Sequence, residues 1–217
     1  MNQYTIRITI LYDNTAHVPD LNAKWGFSCL VERRDSPVVL FDTGPTGPEL
    51  MENMKILEID PDRIDIIFIS HPHWDHADGL EEFLKHNDHA ILVIPPAFDF
   101  SSTHKTIIAS SPGSICEGIY TTGELDDFEQ SMVMDSPEGM VVITGCSHPG
   151  IPEILEISRE FGSIHALIGG FHGFSELDLL EDIPLVCPTH CTKLKDEILA
   201  RFPDKCIEGG AGRVIEI

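Results

Sequence analysis

Ser70-His71-Pro72-His73-Trp74-Asp75-His76 is the stretch that decides how this chain reads. Four side chains able to bind a metal fall there in the order His-x-His-x-Asp-His. Just before it, Ile64-Asp65-Ile66-Ile67-Phe68-Ile69 has the apolar run of a buried strand. Just after it, residues 77–85 read as the start of a helix. A strand end, a tight turn and a helix start can aim all four side chains into one cavity. Imidazole nitrogens beside a carboxylate suit zinc, iron or manganese.

Outward from this stretch, the chain alternates strands and helices. Residues 4–12 alternate apolar and polar side chains, as a strand does, and strands follow at 27–32 and 38–41, joined through Asp35-Ser36-Pro37. Residues 49–57 read as a helix, 79–86 as the helix after the motif, and 90–94 as a strand closed by Pro95-Pro96. Residues 97–118 are rich in Ser, Pro and Gly and read as an irregular lid or substrate loop. Strands at 132–134 and 140–144 lead into Gly145-Cys146-Ser147-His148-Pro149-Gly150, and a helix spans 152–161. Strands at 164–168 and 184–187 end in Gly169-Gly170-Phe171-His172 and Pro188-Thr189-His190-Cys191. A helix over 193–202 and two terminal strands complete the reading, as one domain over 1–217. Asp42, the motif, His148 and His190 all stand where a strand ends, and His172 sits on a fifth such loop. Active sites of α/β folds collect where strand ends converge.

Composition narrows the function. With 14 Lys and Arg against 36 Asp and Glu, the formal net charge is −22. That charge repels phosphate backbones, so no nucleic-acid partner is expected. Met1-Asn2-Gln3-Tyr4-Thr5-Ile6-Arg7 lacks an apolar signal core, and no apolar run approaches the roughly 20 residues of a membrane span. The expectation is a cytoplasmic protein with no membrane partner and a small-molecule substrate. Six cysteines are scattered without a CxxC pair and read as reduced thiols. Cys187 and Cys191 flank His190, but this spacing lacks a matching half for a zinc site elsewhere.

The ligand set suggests its own grouping. His71 and His73 sit two apart on the turn, with His148 as a third partner; Asp75 and His76 face the other side, with His190 completing a second group. Two metals about 3.5–4 Å apart would share a bridging hydroxide, and coordination brings the pKa of water toward 7. Asp75 is also placed to steer the attacking water as a general base.

On these residues the chain resembles the metallo-β-lactamase-fold hydrolase superfamily. Phe41-Asp42-Thr43-Gly44, the His71–His76 motif with Gly79-Leu80, Gly145-Cys146-Ser147-His148 and His190 carry the resemblance, which spans essentially the whole chain. It implies an αββα sandwich, α+β in class, with two mixed β-sheets flanked by helices and metals at one sheet edge. It also implies one or two divalent metals per chain, zinc foremost and iron or manganese as alternatives, and allows a homodimer. Gly123-Glu124-Leu125, Glu129-Gln130-Ser131, the 145–151 stretch, Gly169-Gly170-Phe171-His172 and His190-Cys191-Thr192 resemble a subgroup. Its members are 7,8-dihydropterin-6-methyl-4-(β-D-ribofuranosyl)aminobenzene 5′-phosphate synthase-like proteins.

Departures refine the expectation. Most hydrolases of the superfamily place a bridging Asp after the strand that here ends Ile168-Gly169-Gly170, where no carboxylate stands. The subgroup's pattern offers His172 as ligand or substrate contact, and so as a catalytic residue beside Asp75. Trp25 and Lys193 replace the His and Gly usual in the subgroup. Asp42 is read as a carboxylate that orients a ligand, Asp13 and Asn14 as pocket or turn residues, and residues 124–129 as a solvated acidic loop for which the subgroup resemblance also allows a role near the site. Cys146 and Cys191 are read as packing, and His17, His86, His89, His104 and His165 as lying outside the site. The leading expectation is a metal-dependent hydrolase of a small ester, phosphoester or cyclic amide, with no residue assigned to an organic cofactor. A pterin/phosphoribosyl transferase and a non-hydrolytic metal-binding or redox protein are the alternatives. His73, where flavodiiron proteins typically carry Glu, argues against that redox branch.

Overall fold

A computed structural model describes residues 5–217. Tyr4, the first residue of the expected opening strand, lies outside them. In chain order the elements are β1 (Ile6–Tyr12), β2 (Ser28–Arg33), β3 (Val39–Phe41), α1 (Gly47–Ile56), β4 (Ile66–Phe68), α2 (Trp74–Ala77), α3 (Leu80–Phe83) and β5 (Ile91–Ile94). β6 (Thr106–Ile108), β7 (Gly113–Cys116), β8 (Ile119–Thr121), β9 (Met132–Ser136) and β10 (Gly139–Thr144) follow. The chain then runs through α4 (Ile151–Ser158), β11 (Ile164–Gly170), β12 (Leu185–Thr189), α5 (Lys195–Arg201) and β13 (Val214–Glu216).

The strands form two mixed sheets, one in the order β13-β1-β2-β3-β4-β5-β6 and one in the order β12-β11-β10-β9-β8-β7. Side-chain alternation explains why four layers result. Ile66 and Phe68 of β4 point into the core between the sheets, with Ile143 and Ile168 from the opposite sheet, while Ile67 points outward. Ile67, Leu40 and Leu92 are covered by Leu50 and Met54 of α1 and by Leu80 and Phe83 of α3. On the other side, Val142, Leu167 and Val186 are covered by Ile154 and Leu155 of α4 and Ile198 of α5. This is the αββα sandwich that the resemblance implies.

Parallel pairing then places the site. β3 and β4 run parallel with Phe41 opposite Phe68, so Asp42 and Ser70 leave the first sheet at one edge. β10, β11 and β12 are parallel, with Thr144 opposite Gly169 and Gly170 opposite Thr189. The loops carrying His148, His172 and His190 therefore leave the second sheet together.

Several local expectations change. The helix after the motif begins inside it, at Trp74, because His73 is the extended residue at its cap. Residues 97–118 are not a free loop: β6 extends one sheet and β7 the other. Only one terminal strand forms among the described residues, since the segment near Cys206 makes a single bridge to Val186. No helix among them is long and apolar enough to cross a membrane.

Candidate metal centre

Asp42 organises the first sheet's contribution. It follows β3 in the left-handed region, at φ 53°, and its side chain is fully buried. Ser70 N donates to Asp42 Oδ1 at 2.7 Å and Ser70 Oγ donates to Oδ2 at 2.8 Å. His76 Nδ1 lies 2.7 Å from the same Oδ2, and His71 Nδ1 lies 2.9 Å from Ser70 Oγ. With Asp42 as the final acceptor, both histidines carry their proton on Nδ1 and present Nε2 as a lone pair. His190 follows the same rule from the opposite sheet. Its Nδ1 donates to Asn14 Oδ1 at 2.9 Å, its carbonyl accepts from Asn14 Nδ2 at 2.8 Å, and its N–H donates to Asp13 Oδ1 at 2.9 Å. Asp13 and Asn14 thus hold His190 in place.

Four groups of ligand atoms, each within 4.8 Å of one another, meet between the sheet edges among the described residues. His71, His73 and His148 form one and Asp75, His76 and His190 another. These are the two triads that the spacing suggested. The other two groups run through a side chain read from sequence as packing: Cys146 with His71 and His76, and Cys146 with His190 and Cys191. Cys146 Sγ lies 3.2 Å from His76 Nε2. Cys187 joins none of them; it sits in the core between the sheets, so Cys191 faces Cys146 instead. His172 also lies outside the four groups. It is exposed, with its ring centre 5.0 Å from that of His148. His86 and His104 are held elsewhere, near Glu82 and on the Ala90 carbonyl.

The donor set fits divalent metals. His71 Nε2 and His73 Nδ1 are 3.1 Å apart, close to the ~3.3 Å of two imidazole nitrogens on one tetrahedral zinc with bonds of about 2.0–2.1 Å. His148 Nε2 and His190 Nε2 are buried without a well-aligned hydrogen-bond partner, although Asp75 Oδ2 is 3.2 Å from the latter. Buried polar atoms are ordinarily satisfied, and a cation would satisfy both.

Electrostatics favour the neutral, lone-pair-bearing form of four of these five imidazoles. Burial pushes His148 down to about 4, helped by the charges of His73 and His172, and burial likewise lowers His71, His73 and His190. Burial opposes protonation of His76, but the Asp42 carboxylate overrides it and raises that imidazole. Burial also works to raise Asp75; His190 and His76 beside it override this and hold its carboxyl well below the usual range. The Cys146 and Cys191 thiols interact, which raises the first and lowers the second. A bound cation reverses such a balance, since a coordinating thiol is deprotonated outright.

Glu129 takes the place near the site that the subgroup resemblance allows, not that of a solvated acidic loop: it is 1% exposed. Its Oε1 accepts from the N–H groups of Cys146 and Ser147, both at 2.9 Å, and its Oε2 from that of His148 at 2.8 Å. Ser147, at φ 61°, and His190, at φ 45°, hold the left-handed backbone common at functional loops. Gly145 lets the two edges meet: a Cβ there would stand 2.2 Å from Ser70 Oγ and 3.0 Å from His71 Nδ1.

The centre opens into a cavity of about 230 Å³ whose walls include Trp25, Trp74, His73 and His172. A neighbouring cavity of about 260 Å³ shares His148 and His172 and runs to Phe171, Phe174 and Glu176. Trp25 and Trp74 are half exposed, and Trp25 packs on His190 with ring centres 4.8 Å apart. A further cavity, about 560 Å³ and lined by residues that include Pro45, Glu81, Lys85 and Phe98, touches none of the clustered histidines.

The fold is a four-layer sandwich with a histidine-rich cluster where the strand ends of its two sheets meet. The family model described as the metallo-beta-lactamase superfamily matches residues 26–152, and the chain belongs to that superfamily. It is 26% identical to the 7,8-dihydropterin-6-methyl-4-(beta-D-ribofuranosyl)-aminobenzene-5'-phosphate synthase of Methanocaldococcus jannaschii, over 96% of this chain and 95% of that protein. A crystal structure of a metal-dependent hydrolase of the beta-lactamase superfamily superposes with a TM-score of 0.74 at 26% identity, covering 98% of this chain and 99% of that one. The metallo-beta-lactamase fold protein YhfI of Bacillus subtilis shares the fold, with a TM-score of 0.70 at 14% identity over 98% and 99% of the two chains.

Proposed function

We propose that this protein is a metal-dependent hydrolase of a small ester, phosphoester or cyclic amide. The observation that carries the reading is the meeting of two candidate ligand triads, His71/His73/His148 and Asp75/His76/His190, beside an open cavity that His73, Asp75 and His148 line. Divalent metals held there, zinc foremost, would supply Lewis-acid polarisation and a water nucleophile at neutral pH.

The chain's own residues do the rest. Asp75 stays ionised and orients the nucleophile's proton while its other contacts fix His190. His172, exposed on both cavities, contacts the substrate and delivers a proton to the leaving group. Trp25 and Trp74 form an apolar rim that holds a flat or aromatic substrate and keeps bulk water out. The acidic surface disfavours nucleic acid and leaves small molecules as substrates.

A second reading is a synthase acting on a pterin and a phosphoribosyl compound. The 26% identity along nearly the whole length of the methanogen synthase favours it, and the Trp rim suits a pterin ring equally well. Metal content per chain, measured by mass spectrometry after anaerobic purification without chelator, tests both. Two metals with turnover of a phosphodiester or ester chromogen support the hydrolase. Bound metal with no turnover of either, and product formation from pterin and phosphoribosyl substrates, support the synthase.

A further inference from the structure

We infer that the Cys146 thiol is a metal ligand shared between the two triads and supplies the negative charge between their metals. This rests on the metal-binding reading above.

Position comes first. Cys146 Sγ lies within 4.8 Å of the ligand atoms of His71 and His76, and likewise of His190 and Cys191. It therefore reaches one imidazole of the first triad and both of the second, and it stands 3.2 Å from His76 Nε2. No other side chain in the four groups joins both triads through a sulfur or a carboxylate. His190, itself only 5% exposed, turns Nε2 toward the same space, with Asp75 Oδ2 at 3.2 Å but no well-aligned hydrogen bond.

The loop is built to keep the sulfur there. Cys146 N and its neighbour's N–H are both tied to Glu129 Oε1, a carboxylate enclosed by the fold. Cys146 is 4% exposed, so its thiol is not a surface group that happens to turn inward.

Charge gives the reason. Asp75 is the single carboxylate of the two triads, and two divalent cations brought close together repel strongly unless an anion lies between them. β11 ends at Gly169-Gly170 and offers no carboxylate. A side chain would not fit at its end: a Cβ on Gly170 would stand 2.5 Å from the Gly145 carbonyl oxygen and 2.6 Å from Cys191 Sγ. Backbone and the Cys191 thiol fill that space, which leaves Cys146 as the anionic donor that reaches both triads. On binding, Cys146 gives its proton to solvent and the sulfur donates a lone pair, with no change of oxidation state. Soft thiolate with imidazole is a donor set that favours zinc.

The test is optical. The metal-free chain is loaded anaerobically with cobalt(II), which absorbs intensely in the near ultraviolet through thiolate-to-cobalt charge transfer and not through nitrogen or oxygen ligands. The expected result is this band in the unaltered protein, its loss in Cys146→Ser and its retention in Cys191→Ser. Cobalt affinity should fall about 10–100-fold in Cys146→Ser. Cobalt bound to the unaltered protein without the band would overturn the proposal, as would a band that survives Cys146→Ser and vanishes in Cys191→Ser. The first outcome needs no variant, so a misfolded serine variant cannot shelter the idea. Failure of the unaltered protein to bind cobalt at all would instead overturn the metal-binding reading, and this proposal with it.

Discussion

His76 Nδ1 lies 2.7 Å from Asp42 Oδ2, a fully buried contact between residues 34 positions apart. It fixes the face that His76 turns to the centre and ties the end of β3 to the first turn of α2. Asp42→Asn keeps the size of the side chain but loses the charge that holds the Nδ1 proton. Metal affinity should fall about 10–100-fold, measured by competition with a chelator. Unchanged affinity would mean that Asp42 only packs.

Glu129→Ala removes the acceptor of three buried N–H groups at once. The expected cost is about 3 kcal/mol of stability, because buried donors left unpaired are worth ~1–3 kcal/mol each and the loop relaxes partly. Urea unfolding of the metal-free protein reads this directly. A loss under about 1 kcal/mol would show that the loop stands without its anchor.

His73 and His172 separate ligand from substrate contact. Both are exposed, so alanine at either should leave stability within about 0.5 kcal/mol. His73→Ala should cost one metal per chain and abolish turnover. His172→Ala should keep the metal content and lower kcat about 10²–10⁴-fold. Metal loss in His172→Ala would return that residue to the ligand set.

Acid should strip the centre and weaken the metal-free fold together. His148 titrates near 4 in the folded chain, against an ordinary value of 6.5. Between those values the unfolded chain binds a proton that folded His148 refuses, so stability rises with pH through this window and is lost as pH falls toward 4. His71, His73 and His190 act in the same direction, while His76, raised by Asp42, acts oppositely. Melting temperature of the metal-free protein should therefore drop from pH 7 to pH 4.5, and metal should be released over the same range. A flat melting profile would show that these imidazoles are not held neutral by the fold.

Gly145→Ala tests how tightly the sheet edges meet. The new Cβ would collide with Ser70 Oγ, which Asp42 holds in place by accepting hydrogen bonds from both Ser70 N and Oγ. A cost of about 1–3 kcal/mol and weakened metal binding are expected from thermal melts and chelator competition.

The sequence alone picked out the candidate ligands and grouped them in the two triads that the structure brings together. Spacing within one turn fixes which of His71, His73, Asp75 and His76 share a face, and strand-end placement singled out His148 and His190. The apolar run Ile66-Ile67-Phe68 calls for cover on both faces of its strand, and the family resemblance implied the four layers that provide it. Only the tertiary structure placed Glu129, Asn14 and Cys146 against the clustered histidines. An acidic stretch such as Glu124-Leu125-Asp126-Asp127-Phe128-Glu129 has the same composition whether solvated or anchoring a loop. A thiol beside a ligand looks the same whether it packs or points inward. What separates these cases is which strand ends lie side by side, and that follows from the parallel register of β10, β11 and β12 and from the packing of one sheet on the other. Those contacts join residues far apart in the chain, and no local pattern encodes them.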